Sequence, residues 1–329
     1  MSLTIVGTGY AVPAHIVRND DLAQIVDTSD AWIRTRTGIQ TRRLLGARTL
    51  ADLACEAAQA ALADAHLGAQ DIDLILCTTI CADTITPGLC THVQQRIGAH
   101  CPGLDLNAAC AGFVYALDVA QAYLLSGKAQ RILIVSAEAL SRFTDWTDRT
   151  TCVLFGDGAG AAVVQPGADL LDIRLLSEPH IDWLYANSPM GNSPFFGQPN
   201  GNDDTYIHMN GQEVYKYAVR TVAQQARDCL NAAGVTPDQV DLYVLHQANR
   251  RILDAVRTRL GQPAEKFPDS IHCYGNTSSA SLPILLSQLC REGRVSDGML
   301  LFLSAFGAGM TAGSCLLRWH ASPPSPHRV

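Results

Sequence analysis

Apolar positions in this chain gather into short, nearly unbroken runs: LILCTT (74–79), RILIVSAEA (131–139), LYVLHQ (242–247) and MLLFLSAFG (299–307). Runs of this length with so little polar alternation predict strands covered on both faces. Between them lie longer stretches in which apolar and small residues recur at helical spacing, such as the run after Cys110 and HQANRRILDAVRTRLG (246–261). Strands alternating with helices predict an α/β chain with a mixed or mainly parallel sheet.

The pattern occurs twice. AALADAHLGAQDIDLILCTT is echoed by ARDCLNAAGVTPDQVDLYVLHQ, with Asp73 and Asp241 (and likewise Thr78 and His246) 168 positions apart, 241 minus 73. Further on, Cys110 and Asn276 pair at an offset of 166 (276 minus 110), and each precedes an apolar helix ending at Gly127 or Gly293. Self-similarity at half the chain length predicts a duplicated unit. The break between AAVV and LLDIRLL, near Pro166 to Asp172, divides the chain into halves 1–168 and 169–329. Pseudo-two-fold symmetry would bring matching strand ends together between the halves, where Cys110, His246 and Asn276 could meet. The stretch Asn187–Asp204, rich in Gly, Pro and Asn, predicts a long loop, and the tail ASPPSPHRV predicts disorder.

Composition narrows the class. The chain has 329 residues, 47% of them hydrophobic and 17% charged, which fits a compact globular protein. No apolar run approaches the roughly 20 residues that span a bilayer. MSLTIVGTGY lacks the regions of a signal peptide, so a cytoplasmic protein without membrane contact is expected. Eleven cysteines, an odd number, point to reduced thiols. Cys77, Cys81, Cys90 and Cys101, with His92 and His100, follow no compact zinc spacing, so no metal site is expected. A net charge of −7 argues against nucleic acid and leaves any acidic partner to dock on a local basic patch.

Cys110 is the candidate nucleophile. It stands where the strand-like LDL meets a long apolar helix, flanked by Ala108, Ala109, Ala111 and Gly112, which leave room for a substrate. A thiol at a helix N-terminus feels the positive end of the dipole, which predicts a thiolate-favouring site. GDGAG (156–160) leads into a strand instead of opening a helix, so it predicts a close-packed turn and no dinucleotide loop.

DLNAACAGF, HQANRRI, YGNTSSAS and AFGAGMTAG, with DTSDAWIRTRTGI and FGDGAGAAVV, resemble the β-ketoacyl-acyl-carrier-protein synthase III family of the thiolase-like superfamily. The resemblance covers residues 1 to 318 and implies a duplicated thiolase-like fold, five-layered αβαβα. It implies a decarboxylating Claisen condensation: Cys110 takes the acyl group of an acyl-CoA, and malonyl-acyl-carrier protein then loses CO₂ and attacks it. His246 and Asn276 would donate hydrogen bonds to the developing enolate, and the amides of Cys110 and Ala308 would form the oxyanion hole. Thr28, Trp32, Arg36 and Arg149 match CoA contacts, and Thr86 and Phe306 match acyl-pocket positions. Lys216, Arg250, Arg251, Arg257 and Arg259 match a docking patch for the acidic carrier protein. No cofactor is implied, acyl-CoA being a substrate, and a homodimer is.

Two departures fall where the acyl group should bind. Thr86 stands where relatives often carry a bulky aromatic donated into the partner subunit's pocket, and SEPHIDWLYANSP lacks the usual Asp-Gly signature. They permit a longer, branched or polar starter. The alternatives are an acyltransferase of the same fold that uses an oxygen or nitrogen acceptor, and a cysteine hydrolase with the same Cys, His and Asn order. The second lacks its local signature around the nucleophile.

Overall fold

The structure is a computed structural model that describes residues 2–188 and 204–320. The tail ASPPSPHRV and nearly all of the long loop expected between Asn187 and Asp204 lie outside the described residues. β1 (Ser2–Ala11) is followed by the antiparallel pair β2 (His15–Arg18) and β3 (Thr41–Leu44), which brackets α1 (Asn19–Leu22) and α2 (Asp30–Thr37). Then come α3 (Leu50–Asp64), β4 (Leu74–Thr78), α4 (Leu89–Ile97), β5 (Gly103–Leu106), α5 (Gly112–Leu125), β6 (Ile132–Ala139) and β7 (Asp157–Gly167). The remainder runs β8 (Leu170–Ser177), β9 (Leu184–Ala186), β10 (Ile207–Met209), α6 (Gly211–Ala233), β11 (Leu242–Leu245), α7 (Arg250–Leu260), α8 (Ile271–Tyr274), α9 (Ser281–Arg291), β12 (Leu300–Gly307) and β13 (Thr311–Arg318).

Two mixed sheets form, ordered β1-β7-β6-β4-β5 and β11-β12-β13-β8. β4 pairs in parallel with β5 and β6, and β11 with β12; the other pairings in these sheets are antiparallel. Every residue of β4, β6, β11 and β12 is buried, as unbroken apolar runs require. α5 and α9 lie between the sheets in one core with Ile134, Val164, Leu301 and Leu303. α3 and α4 cover the outer face of the first sheet, and α6 and α7 that of the second. The result is the αβαβα layering that the family resemblance implies.

Local chemistry fixes these elements. Thr49 caps α3 through a capping box with Asp52. The face of α3 turned to β1 is largely alanine, and a Cβ at Gly7 would lie 2.5 Å from the Ala61 carbonyl oxygen, so helix and sheet approach closely.

Two expectations need correction. Asp157 to Gly160 already belong to β7 and form no turn. Their glycines do pack closely: a Cβ at Gly160 would sit 2.8 Å from the Ile284 nitrogen at the middle of α9. The second concerns the repeat's register. Ala109 and Ser278 share a left-handed backbone, φ 46° and 49°, and stand 169 positions apart, 278 minus 109. The counterpart of Asn276 is therefore Asn107, and that of Cys110 is Ser279. Gly127 and Gly293, both past their helix ends with positive φ, remain 166 apart (293 minus 127), because the second half is three residues shorter between turn and glycine (169 minus 166).

Candidate active site

Twin turns organise the site. In the first, Asn107 Oδ1 accepts the Ala109 N–H at 3.2 Å, and the left-handed Ala109 starts the short 3₁₀ turn Ala109–Ala111 that carries Cys110 into α5. In the second, Asn276 Oδ1 accepts the Ser278 N–H at 2.8 Å. That bond occupies the Asn276 carbonyl oxygen and leaves its NH₂ as the available donor. β12 closes against the first turn at Gly307, where a Cβ would sit 2.5 Å from the Cys110 nitrogen. Only glycine allows that approach.

His246 follows β11, its N–H bonded to the Ser304 carbonyl at 2.8 Å. Its Nδ1 lies 2.6 Å from Ser281 Oγ, which also accepts the Gln247 N–H at 3.3 Å. With the Ser281 hydroxyl donating to Nδ1, the imidazole hydrogen sits on Nε2. Burial pushes the ring's pKa down to about 3, so it is neutral at pH 7. Phe306 meets it edge-on with ring centroids 5.3 Å apart.

The thiol departs from the expected thiolate-favouring site. Burial, opposed by the Ser278 hydroxyl and reinforced by the Glu138 charge, pushes Cys110 up to about 12.

Cys110, His246, Asn276, Phe306 and Ala308 line one cavity of about 510 Å³, together with Ile80, Leu154, Leu184, Ile207 and Met209. Trp32, Arg36 and Arg251 line it as well. The Trp32 ring is flanked by the guanidinium carbons of Arg36 at 5.4 Å and Arg149 at 5.2 Å. Arg149 donates to the Asp27 carbonyl at 2.9 Å, and Thr28 Oγ1 is buried without a hydrogen-bond partner among the described residues.

Comparison with known proteins places this geometry. The model described as 3-oxoacyl-[acyl-carrier-protein] synthase III matches residues 104–179, and the one for that enzyme's C terminal matches 230–319. The beta-ketoacyl-[acyl-carrier-protein] synthase III of Oceanobacillus iheyensis is 44% identical over 97% of this chain and 99% of its own. The chain belongs to the 3-oxoacyl-[acyl-carrier-protein] synthase III family. The crystal structure of the Aquifex aeolicus family member has a TM-score of 0.90 at 42% identity, covering 96% of this chain and 100% of that one. A priming β-ketosynthase from the R1128 polyketide pathway has a TM-score of 0.91 at 32% identity, covering 98% and 97%.

Not every residue matched to the family's sites reaches the cavity. Thr86 is exposed and does not line this chain's own pocket. The basic patch is also less free than the sequence suggested. Arg250 pairs with Asp254 and Asp269, Arg257 with Asp254, and Lys216 with Glu213. Arg251 instead stacks over Tyr215 at 5.9 Å, and Arg259 is exposed. Sequence reasoning missed Gly307, Ser278, Ser281 and Glu138. No pattern marked the last, which sits inside the apolar run RILIVSAEA.

Proposed function

We propose that this chain catalyses the decarboxylating condensation of an acyl-CoA starter with malonyl-acyl-carrier protein, giving a 3-oxoacyl-carrier protein that begins a fatty-acid or related polyketide chain. The observation that carries the reading is the shared cavity of Cys110, His246 and Asn276, which come from the start of α5, the end of β11 and the segment before α9. Cys110 attacks the thioester and expels CoA. The amides of Cys110 and Ala308 hold the oxyanion, where each such donor is worth about 10²- to 10³-fold in rate. After CoA leaves, malonyl on the carrier loses CO₂, and the negative charge gathers on its thioester oxygen. His246 Nε2–H and the Asn276 amide donate to that oxygen. A neutral imidazole suits this step, because it donates without having to give up a proton.

Trp32, Arg36 and Arg149 are suited to stacking an adenine, and the orphaned Thr28 hydroxyl is suited to a polar group of CoA. Arg251 and Arg259, less neutralised than their neighbours, lead the docking surface for the acidic carrier. The reading includes halves 1–168 and 169–329, a cytoplasmic homodimer with Thr86 turned to the partner's pocket, and no cofactor. Threonine in place of a bulky aromatic admits a longer, branched or polar starter.

The test is a panel of acyl-CoAs, with the mass added to Cys110 recorded before malonyl carrier protein is supplied and CO₂ release followed. Acyl transfer to water alone would establish a hydrolase, and a product without malonyl carbons would establish a simple acyltransferase. Either result overturns the reading.

A further inference from the structure

Glu138, near the end of β6, is fully buried, and among the described residues no Lys, Arg or His pairs with it. Its carboxylate accepts five hydrogen bonds: at Oε1 from the hydroxyls of Ser278 (3.0 Å) and Ser279 (2.7 Å), and at Oε2 from the Ile80 N–H (3.1 Å), the Thr79 hydroxyl (3.3 Å) and the Cys81 thiol (3.0 Å). Burial pushes its pKa up, and the hydrogen bonds from Cys81, Ser279, Ile80 and Ser278 oppose that rise, which suits a carboxylate that can take up a proton. An ionised acid buried without a counter-ion is costly, and such sites more often serve chemistry than stability. The titratable groups facing it are Cys81, on the segment after β4, and Cys110, on the turn into α5. α5 itself packs on β6 through apolar residues such as Phe113 and Leu117.

Ser278 is the link. Its hydroxyl donates to Glu138, it lines the cavity with Cys110, and it acts on that thiol against the effect of burial. Burial keeps that thiol protonated at neutral pH, so its proton has to leave before or during attack. His246 is a poor destination, with a strongly lowered pKa and Nδ1 engaged by Ser281. We propose that Ser278 and Glu138 form a proton path for Cys110: the thiol proton passes to the Ser278 oxygen while that hydroxyl's own proton passes to Glu138. The inference rests on Cys110 being the nucleophile.

The path closes over one catalytic cycle. When Cys110 forms its new S–C bond, the C–S bond to CoA breaks and CoA leaves as a thiolate that solvent protonates, while Glu138 keeps the cysteine's proton. In the second half-reaction CO₂ departs, the carbanion forms its C–C bond to the acyl carbon, and the acyl–sulfur bond breaks to regenerate the Cys110 thiolate. The stored proton returns through Ser278. No oxidant or further reactant is needed.

Carbamidomethylation of Cys110 by iodoacetamide, followed peptide by peptide from pH 5.5 to 9, tests the path without any acyl or carrier substrate. An internal acceptor makes the reactive thiolate an isomer of the resting state, so wild-type protein should show a pH-independent plateau through neutrality. Glu138→Gln should abolish the plateau, leaving a rate that climbs about tenfold per pH unit and is on the order of 10²-fold lower at pH 7. If Glu138 merely adds negative charge beside the thiol, the same substitution leaves the thiol as reactive or more so, and that result overturns the proposal. Ser278→Ala guards against a Glu138 variant that does not fold, because Ala109 already adopts the same left-handed backbone in the twin turn. A folded Ser278→Ala protein should have its plateau lowered at least about tenfold, a modest share of the usual effect of general acid–base catalysis. An unchanged rate refutes the path. Failure here would leave condensation untouched, whereas a chain that never joins malonyl carbons could still show the plateau.

Discussion

Replacing Gly307 with alanine should cripple acyl loading while leaving malonyl decarboxylation nearly intact. The added Cβ would stand 2.5 Å from the Cys110 nitrogen, 3.0 Å from Ala109 Cβ and 3.2 Å from Cys110 Cα. Ordinary contacts begin near 3.4 Å, so the end of β12 and the Cys110 turn must separate by about 0.9 Å (3.4 minus 2.5). The turn cannot yield easily, because Ala109 is held left-handed by Asn107 and Gly112 packs with its Cβ position 2.9 Å from Thr78. The Cys110 amide, one of the two proposed oxyanion donors, bears the displacement. Loss of one such donor costs about 10²- to 10³-fold, and a misplacement near 1 Å about 10²-fold. Overpacking should also remove about 1–3 kcal/mol of stability, which a melting curve reads separately. Rapid-quench mass spectrometry of the acyl-enzyme, beside CO₂ release from malonyl carrier protein, separates the two half-reactions. Acyl loading within about threefold of wild type, far short of the loss of one donor, would refute the reasoning.

His246 should make the fold sensitive to mild acid. Its folded pKa near 3 lies below the unfolded value of about 6.5, so below pH 6.5 the unfolded chain binds the proton and stability falls by about 1.4 kcal/mol per pH unit; denaturation midpoints between pH 6.5 and 5 should show this slope in wild type and not in His246→Gln. Trp32→Ala should raise the KM for acyl-CoA about tenfold with kcat nearly unchanged, as loss of a stacking contact outside the reacting atoms requires, and a matching fall in kcat would contradict it. Arg251→Glu should slow the carrier-protein half-reaction and spare acyl loading, most visibly at low salt; equal loss in both steps would remove Arg251 from the docking surface.

Much of this architecture was legible in the chain because buried strands leave a coarse signature. LILCTT and LYVLHQ, at an offset of 168, became β4 and β11, which begin at Leu74 and Leu242. The register at the second turn was not legible. An apolar helix and a terminal glycine looked equidistant from Cys110 and Asn276, whereas the true marker was an asparagine two residues before a left-handed backbone, which no side-chain pattern announces. Cys110 stood out through its small neighbours, but its raised pKa depends on solvent exclusion by residues distant in sequence. Glu138 was hidden inside a strand that otherwise reads as core, since its partners come from segments 58 and 140 positions away. The pairing of Arg250 and Arg257 with Asp254 and Asp269 likewise needed three dimensions to appear.

The matched turns carry a mechanical consequence. α5 and α9 share the central layer between the sheets, and each is preceded by its own asparagine-latched bend, one bearing sulfur and the other a carboxamide. Sliding either helix along its neighbour would therefore retune the spacing of both reacting groups in one stroke. Substitutions deep in that shared slab, such as at Leu285 or Leu117, should scatter their effects over both chemical stages even though neither side chain borders the cavity.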